Sequence, residues 1–81
     1  MKEAEILNIV YGLLKQVAPE TDPSSLTLDE NIRESLNIDS YDALQFIVAL
    51  SEKLGVDIPE KDYGQTGNLK NLLIYLEKRL H

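Results

Sequence analysis

Three stretches of this chain place apolar residues at steps of three and four, and no stretch alternates apolar and polar residues long enough to make a reliable strand. The first runs through Ile6, Ile9, Val10, Leu13, Leu14 and Val17 and stops near Pro19. The second contains Leu44, Ile47, Val48, Leu50 and Leu54, and the third Leu69, Leu72, Leu73, Leu76 and Leu80. Asp39 and Ser40 are both good N-cap residues ahead of the second stripe, and Gly55 sits where a left-handed cap would end it. Pro59 suits a first helical position, which predicts one short helix over Pro59-Glu60-Lys61-Asp62. Lys78 and Arg79 fall in the last turn of the final stripe, where they complement the helix dipole. The expected fold is all-α: an antiparallel four-helix bundle with three longer helices and one short one.

At 81 residues such a chain buries a limited share of its surface, so every helix must feed one core, and residues 1–81 are expected to form a single domain. Residues 19–37 carry two prolines and several capping residues, which predicts a long loop between the first two stripes. A structureless connection of that length is uncommon in a compact domain. Leu26, Leu28, Ile32 and Leu36 therefore read as anchors, and Leu28 to Ser35 as room for a short turn.

Composition removes most chemistries. There are no cysteines, so disulfides, thiolate zinc sites and thiol nucleophiles are excluded, and the single histidine is His81 at the C-terminus. No carboxylate pair has an apolar setting suited to acid–base work. Neither Asp22–Arg33 nor Asp57–Asn68 supplies the ligand spacing of a calcium loop. The glycines are too scattered to cradle a phosphate, and the basic residues form no patch with interleaved aromatics. The net charge is −6, and residues 20–62 hold eleven acids against Arg33, Lys53 and Lys61. That acidic middle repels nucleic acid and anionic lipid and attracts basic protein surfaces. With no signal-peptide run after Met1-Lys2-Glu3-Ala4-Glu5 and no span of ~20 apolar residues, the expectation is a cytoplasmic monomer that does not engage membranes.

What remains is Asp39-Ser40, two capping residues where a helix needs one. If Asp39 caps, Ser40 occupies the first turn with its hydroxyl toward solvent. A phosphodiester on that oxygen would lie beside unsatisfied amide hydrogens and the positive end of the dipole. On the residues alone, a plain helix cap and a phosphate attachment point both stay open.

The segment Leu36-Asn37-Ile38-Asp39-Ser40-Tyr41-Asp42-Ala43-Leu44 resembles the attachment motif of the acyl carrier proteins, in which Asp-Ser-Leu opens the second helix. The resemblance extends over nearly the whole chain: the long loop, Val56-Asp57-Ile58-Pro59 for a Val-x-Ile-Pro segment, and the leucine-rich last helix. It implies a protein that is not an enzyme. A 4′-phosphopantetheine arm would be joined to Ser40, next to Asp39, by a phosphopantetheinyl transferase working from coenzyme A. The arm would carry acyl or aminoacyl groups as thioesters to enzymes with basic surfaces, in fatty-acid, polyketide or related biosynthesis. The implied partner-binding residues are Asp39, Tyr41, Asp42, Leu44, Gln45, Val48 and Glu52, and the implied acyl pocket is Val48, Leu50, Leu54 and Ile58. Tyr41 stands in place of the usual leucine, Asn37 where glycine is frequent, Gln45 and Ser51 where acids are common, and Lys53 reverses the usual sign. These departures imply a less acidic recognition face and a different or narrower set of partners. The competing reading is a non-catalytic acidic interaction module whose Ser40 is only a cap.

Self-repulsion among the acids predicts that added salt or a divalent cation raises the melting temperature. Thermal melts at increasing salt check this, and a midpoint that stays fixed contradicts it.

Overall fold

In the computed structural model, which describes residues 2–80, helix α1 spans Glu3–Val17. Glu3 and Glu5 lie in its first turn and Lys15 in its last, each matched to the dipole. Its Ile6, Val10 and Leu14 are completely buried, which puts one face of α1 at the centre of the molecule. The other elements are α2 (Ile32–Ser35), α3 (Ser40–Leu54) and α4 (Leu69–Arg79), with 3-10 turns at Pro23–Ser25 and Glu60–Thr66. Helix α1 packs on both α3 and α4, so it is the strut that joins them. Leu50, Leu72 and Leu76 are completely buried with it, and Leu69 nearly so. Among the described residues there is no strand, only one isolated antiparallel bridge between Asn31 and Asn68. The chain is an all-helical bundle of the expected kind. His81 lies outside the described residues.

Helix α3 is bounded as its sequence suggests. Gly55 adopts φ 67, the left-handed geometry that glycine takes without steric cost, and the Gly55 and Val56 N–H groups both donate to the Ser51 carbonyl. Its buried arc differs from the expected one. Phe46, Ile47, Leu50 and Leu54 are buried, whereas Leu44 and Val48 are 42% and 43% exposed. At about 100° per residue, Leu44 falls just beyond the edge of that arc and Val48 farther round the helix.

The long connection is an ordered one. The Asn31 Oδ1 caps α2 by accepting from the Glu34 N–H at 2.9 Å, and the Pro23–Ser25 turn is capped by Asp22. Leu26, Ile32 and Leu36 are buried as expected, but Leu28 is 53% exposed. Its backbone provides the anchor instead: the Leu28 carbonyl accepts from the Lys70 N–H at 3.1 Å, and the Ile32 N–H donates to the Gly67 carbonyl at 2.9 Å. Glu30 braces the same loop by accepting from the Thr27 N–H at 2.7 Å and the Ser35 hydroxyl at 2.8 Å. Those two donors, the amide first, hold its carboxyl below the usual carboxylate range.

The short third helix is a 3-10 segment, Glu60–Thr66, longer than the single turn expected from Pro59, which sits at its cap and not inside it. Asp62 on this segment is buried and makes the one ion pair among the described residues. Its Oδ2 accepts from the Tyr75 hydroxyl at 2.7 Å and from Arg79 Nη2 at 2.9 Å. The Arg79 guanidinium also lies over the Tyr75 ring, 4.8 Å from its centroid. The two bonds are unequal in value. The Arg79 side chain is 42% exposed, so solvent screens its pairing to about 1 kcal/mol or less. The Tyr75 bond to a carboxylate is buried and is worth about 1.5–3 kcal/mol.

Tyr75→Phe should therefore lower the melting temperature more than Arg79→Gln, by roughly 4–8 °C for each kcal/mol lost in a domain of this size. Calorimetry checks the order, and the reverse order contradicts the assignment. Burial, and next the hydrogen bond to Asp62, raise the Tyr75 phenol above its usual pKa. The folded state thus holds this proton more tightly. Its contribution is complete below about pH 10, where an unfolded tyrosine ionises, and is lost as pH rises through the higher folded value. Melts across that alkaline range should show an extra loss in the native protein that is absent from Tyr75→Phe, and equal losses contradict it.

Candidate functional site

The chain enters α3 through a turn with no freedom to slide. Leu36 and Ile38 are buried on either side of Asn37, which takes φ 53, a left-handed conformation that asparagine tolerates better than most residues. The Ile38 N–H closes the turn by donating to the Arg33 carbonyl at 2.9 Å. Asp39 is then extended (φ −77, ψ 174), and its Oδ1 accepts from the Asp42 N–H at 2.8 Å while its carbonyl accepts the first helical bond from the Ala43 N–H. Asp39 is the N-cap, and Ser40 is the first residue of the helix.

Because Asp39 does the capping, Ser40 is exposed and its hydroxyl has no hydrogen-bond partner among the described residues. The cap satisfies the Asp42 amide and leaves the Ser40 and Tyr41 N–H groups without intrahelical acceptors. These donors, at the positive end of a fifteen-residue helix, suit a phosphate oxygen.

Beside Ser40 lies a cavity of about 350 Å³. Ile32, Ile38, Ala43, Phe46 and Ile47 form its apolar side, and Tyr63 and Thr66 of the 3-10 segment line it as well. Its exposed lining residues include Arg33, Ser40, Leu44 and Glu60. The four residues expected to make an acyl pocket do not line it. Leu50, Leu54 and Ile58 are core residues, and Val48 faces outward. The apolar space next to Ser40 is built by Ile38, Ala43, Phe46 and Ile47 with the 3-10 segment. The residue that sequence reasoning missed most plainly is Phe46, which stands four positions before Leu50 and so shares its buried face.

The residues expected to meet partners divide by exposure. Tyr41 (68% exposed), Leu44 and Val48 follow at helical spacing on the outward face of α3, and Glu52 continues that face. Gln45 is exposed beside it and Asp42 is half-buried. Three exposed, largely apolar side chains thus stand in one row next to an exposed hydroxyl. Among the described residues no group of three or more His, Cys, Asp or Glu side chains could hold a metal ion, and no helix is long and apolar enough to cross a membrane.

A 4′-phosphopantetheine group is compatible with this donor set: a free hydroxyl for the ester, two open amides for the phosphate oxygens and an adjoining apolar cavity for the remainder. Comparison with known proteins agrees. The family profile described as "Phosphopantetheine attachment site" matches residues 5–76. The acyl carrier protein of Thermosynechococcus vestitus is 28% identical over 80 residues, covering 99% of this chain and 98% of that one. The acyl carrier protein of Campylobacter hominis is 33% identical over 55 residues, 68% of this chain and 70% of its own. That of Lactobacillus acidophilus is 29% identical over 77 residues, 95% of each. A profile match over most of the chain, together with relatives matched along nearly their full length, means that the chain belongs to the acyl carrier protein family, whose prosthetic group is 4′-phosphopantetheine.

Proposed function

We propose that Ser40 is the attachment point of the phosphopantetheine arm, and that the protein carries acyl or aminoacyl groups as thioesters between enzymes of a biosynthetic pathway. The observation that carries this reading is the division of labour at the start of α3, where Asp39 caps and Ser40 is left exposed and unpartnered. In the loading step Ser40 Oγ attacks the phosphorus of coenzyme A that bears pantetheine. One O–P bond forms, the pyrophosphate P–O bond breaks, adenosine 3′,5′-bisphosphate leaves and the hydroxyl proton passes to the transferase. Thioester reactivity then belongs to the arm, which fits a family of carriers rather than catalysts.

The chain's own residues would serve three ends. The Ser40 and Tyr41 amides receive the phosphate oxygens. The outward row of Tyr41, Leu44 and Val48, with Asp39, Asp42, Gln45 and Glu52 around it, docks the transferase and the enzymes that load and unload cargo. Apolar anchors there supply contact energy, and the acids steer basic surfaces toward Ser40. The cavity walled by Ile38, Ala43, Phe46 and Ile47 gives an apolar cargo a place beside the attachment point. Cargo and pathway are set by the enzymes that load it.

Incubation with coenzyme A and a broad-specificity phosphopantetheinyl transferase should add the mass of one phosphopantetheine, and Ser40→Ala should abolish the gain. A folded native chain that gains nothing leaves Ser40 as a plain cap and favours an acidic interaction module. Val48→Asp should keep stability within about 0.5 kcal/mol, because the side chain is exposed, yet lower the transferase kcat/KM roughly 5–30-fold, the loss of about 1–2 kcal/mol of docking. An unchanged kcat/KM removes this face from the transferase interface.

A further inference from the structure

We propose that Arg33 is a positioning residue for the arm, its guanidinium serving as the counter-ion of the phosphodiester on Ser40; the inference rests on the attachment reading above. Arg33 is the only basic residue between Lys15 and Lys53, a stretch that contains eight acids. The fold brings this lone cation to the attachment point. Arg33 sits on α2, exposed, and lines the same cavity as Ser40. Its own carbonyl accepts from the Ile38 N–H at 2.9 Å, which fixes the backbone between the cation and the start of α3.

The guanidinium is uncommitted. Among the described residues the ion pair within 4.0 Å is Arg79 with Asp62, and the Arg33 side chain has no hydrogen-bond partner. Glu60 of the 3-10 segment lines the same cavity, and Glu34, Asp39 and Asp42 adjoin Arg33 and Ser40 along the chain. Asp39 is occupied with the Asp42 amide. A phosphodiester adds one negative charge among those four acids, and like charges in proximity repel. The open amides of Ser40 and Tyr41 can satisfy part of that charge, and a planar guanidinium with paired N–H donors matches the two free phosphate oxygens on the other side. Arginine suits this role better than lysine, because the match is one of fork geometry as well as charge.

The experiment compares apo and phosphopantetheinylated forms of the native protein, Arg33→Gln and Arg33→Lys. The readouts are the change in melting temperature on modification and the 31P chemical shift of the phosphodiester. All three apo forms should melt together, because the exposed side chain has no partner to lose. At low ionic strength, modification should leave Arg33→Gln about 2–5 °C worse off than the native protein, with Arg33→Lys between them and the gap closing at high salt. The 31P shift should differ between the native protein and Arg33→Gln. Equal changes on modification with identical 31P shifts overturn the proposal, and so does a loss in Arg33→Gln that is the same in both forms, which would mark a structural role in α2. A native chain that takes up no phosphopantetheine mass overturns the attachment reading and this inference together, an outcome separable from the others by mass alone.

Discussion

The hydrogen bond from the Asp42 amide to the Asp39 carboxylate decides where α3 begins, and the site depends on that one-residue choice. Had Ser40 capped instead, its hydroxyl would be turned into the helix and engaged by an amide, and Tyr41 would be the first helical residue. With Asp39 in the role, the serine gains exposure, a free hydroxyl and two open backbone donors at once. The register is enforced from the N-terminal side by a turn that cannot slip: Leu36 and Ile38 are both buried, and Asn37 between them accepts a left-handed backbone.

A second chain of contacts connects the site to the core. The far wall of the cavity belongs to a 3-10 segment, which has poorer hydrogen-bond geometry than an α-helix and needs tertiary support. Asp62 supplies it by joining that segment to Tyr75 and Arg79 on α4, which in turn packs on the fully buried face of α1. The buried Tyr75 hydroxyl matters more than the half-exposed arginine, because only the former is shielded from water. Stability of the last helix and the shape of the space beside Ser40 are thus coupled through one carboxylate.

Much of this was legible in the sequence, because helical periodicity, Gly55 and Asp39-Ser40 are local signals. The stripe on α3 was harder. Leu44 and Val48 are as apolar as Ile47, Leu50 and Leu54, so periodicity alone does not separate them and packing against α1 selects the buried side. For the same reason the expected acyl pocket included Val48, which faces outward. The Asp62 cluster was hidden by separation: its partners lie 13 and 17 residues downstream, and nothing local marks Asp62 among the surrounding acids. Leu28 misled because its anchoring is by backbone, which no side-chain pattern reports.

The exposed hydroxyl and the open amides lie at the start of α3, and the outward row of Tyr41, Leu44 and Val48 runs from there along the helix. On the proposed reading, the cap holds the Asp42 amide while leaving those of Ser40 and Tyr41 for the phosphate. Backbone amide NMR of the apo and phosphopantetheinylated forms tests it most directly. The Ser40 and Tyr41 amide protons should move downfield on modification, while that of Asp42, already held by Asp39, should hardly move. Unmoved Ser40 and Tyr41 amides, or a shift of Asp42 as large as theirs, would contradict it.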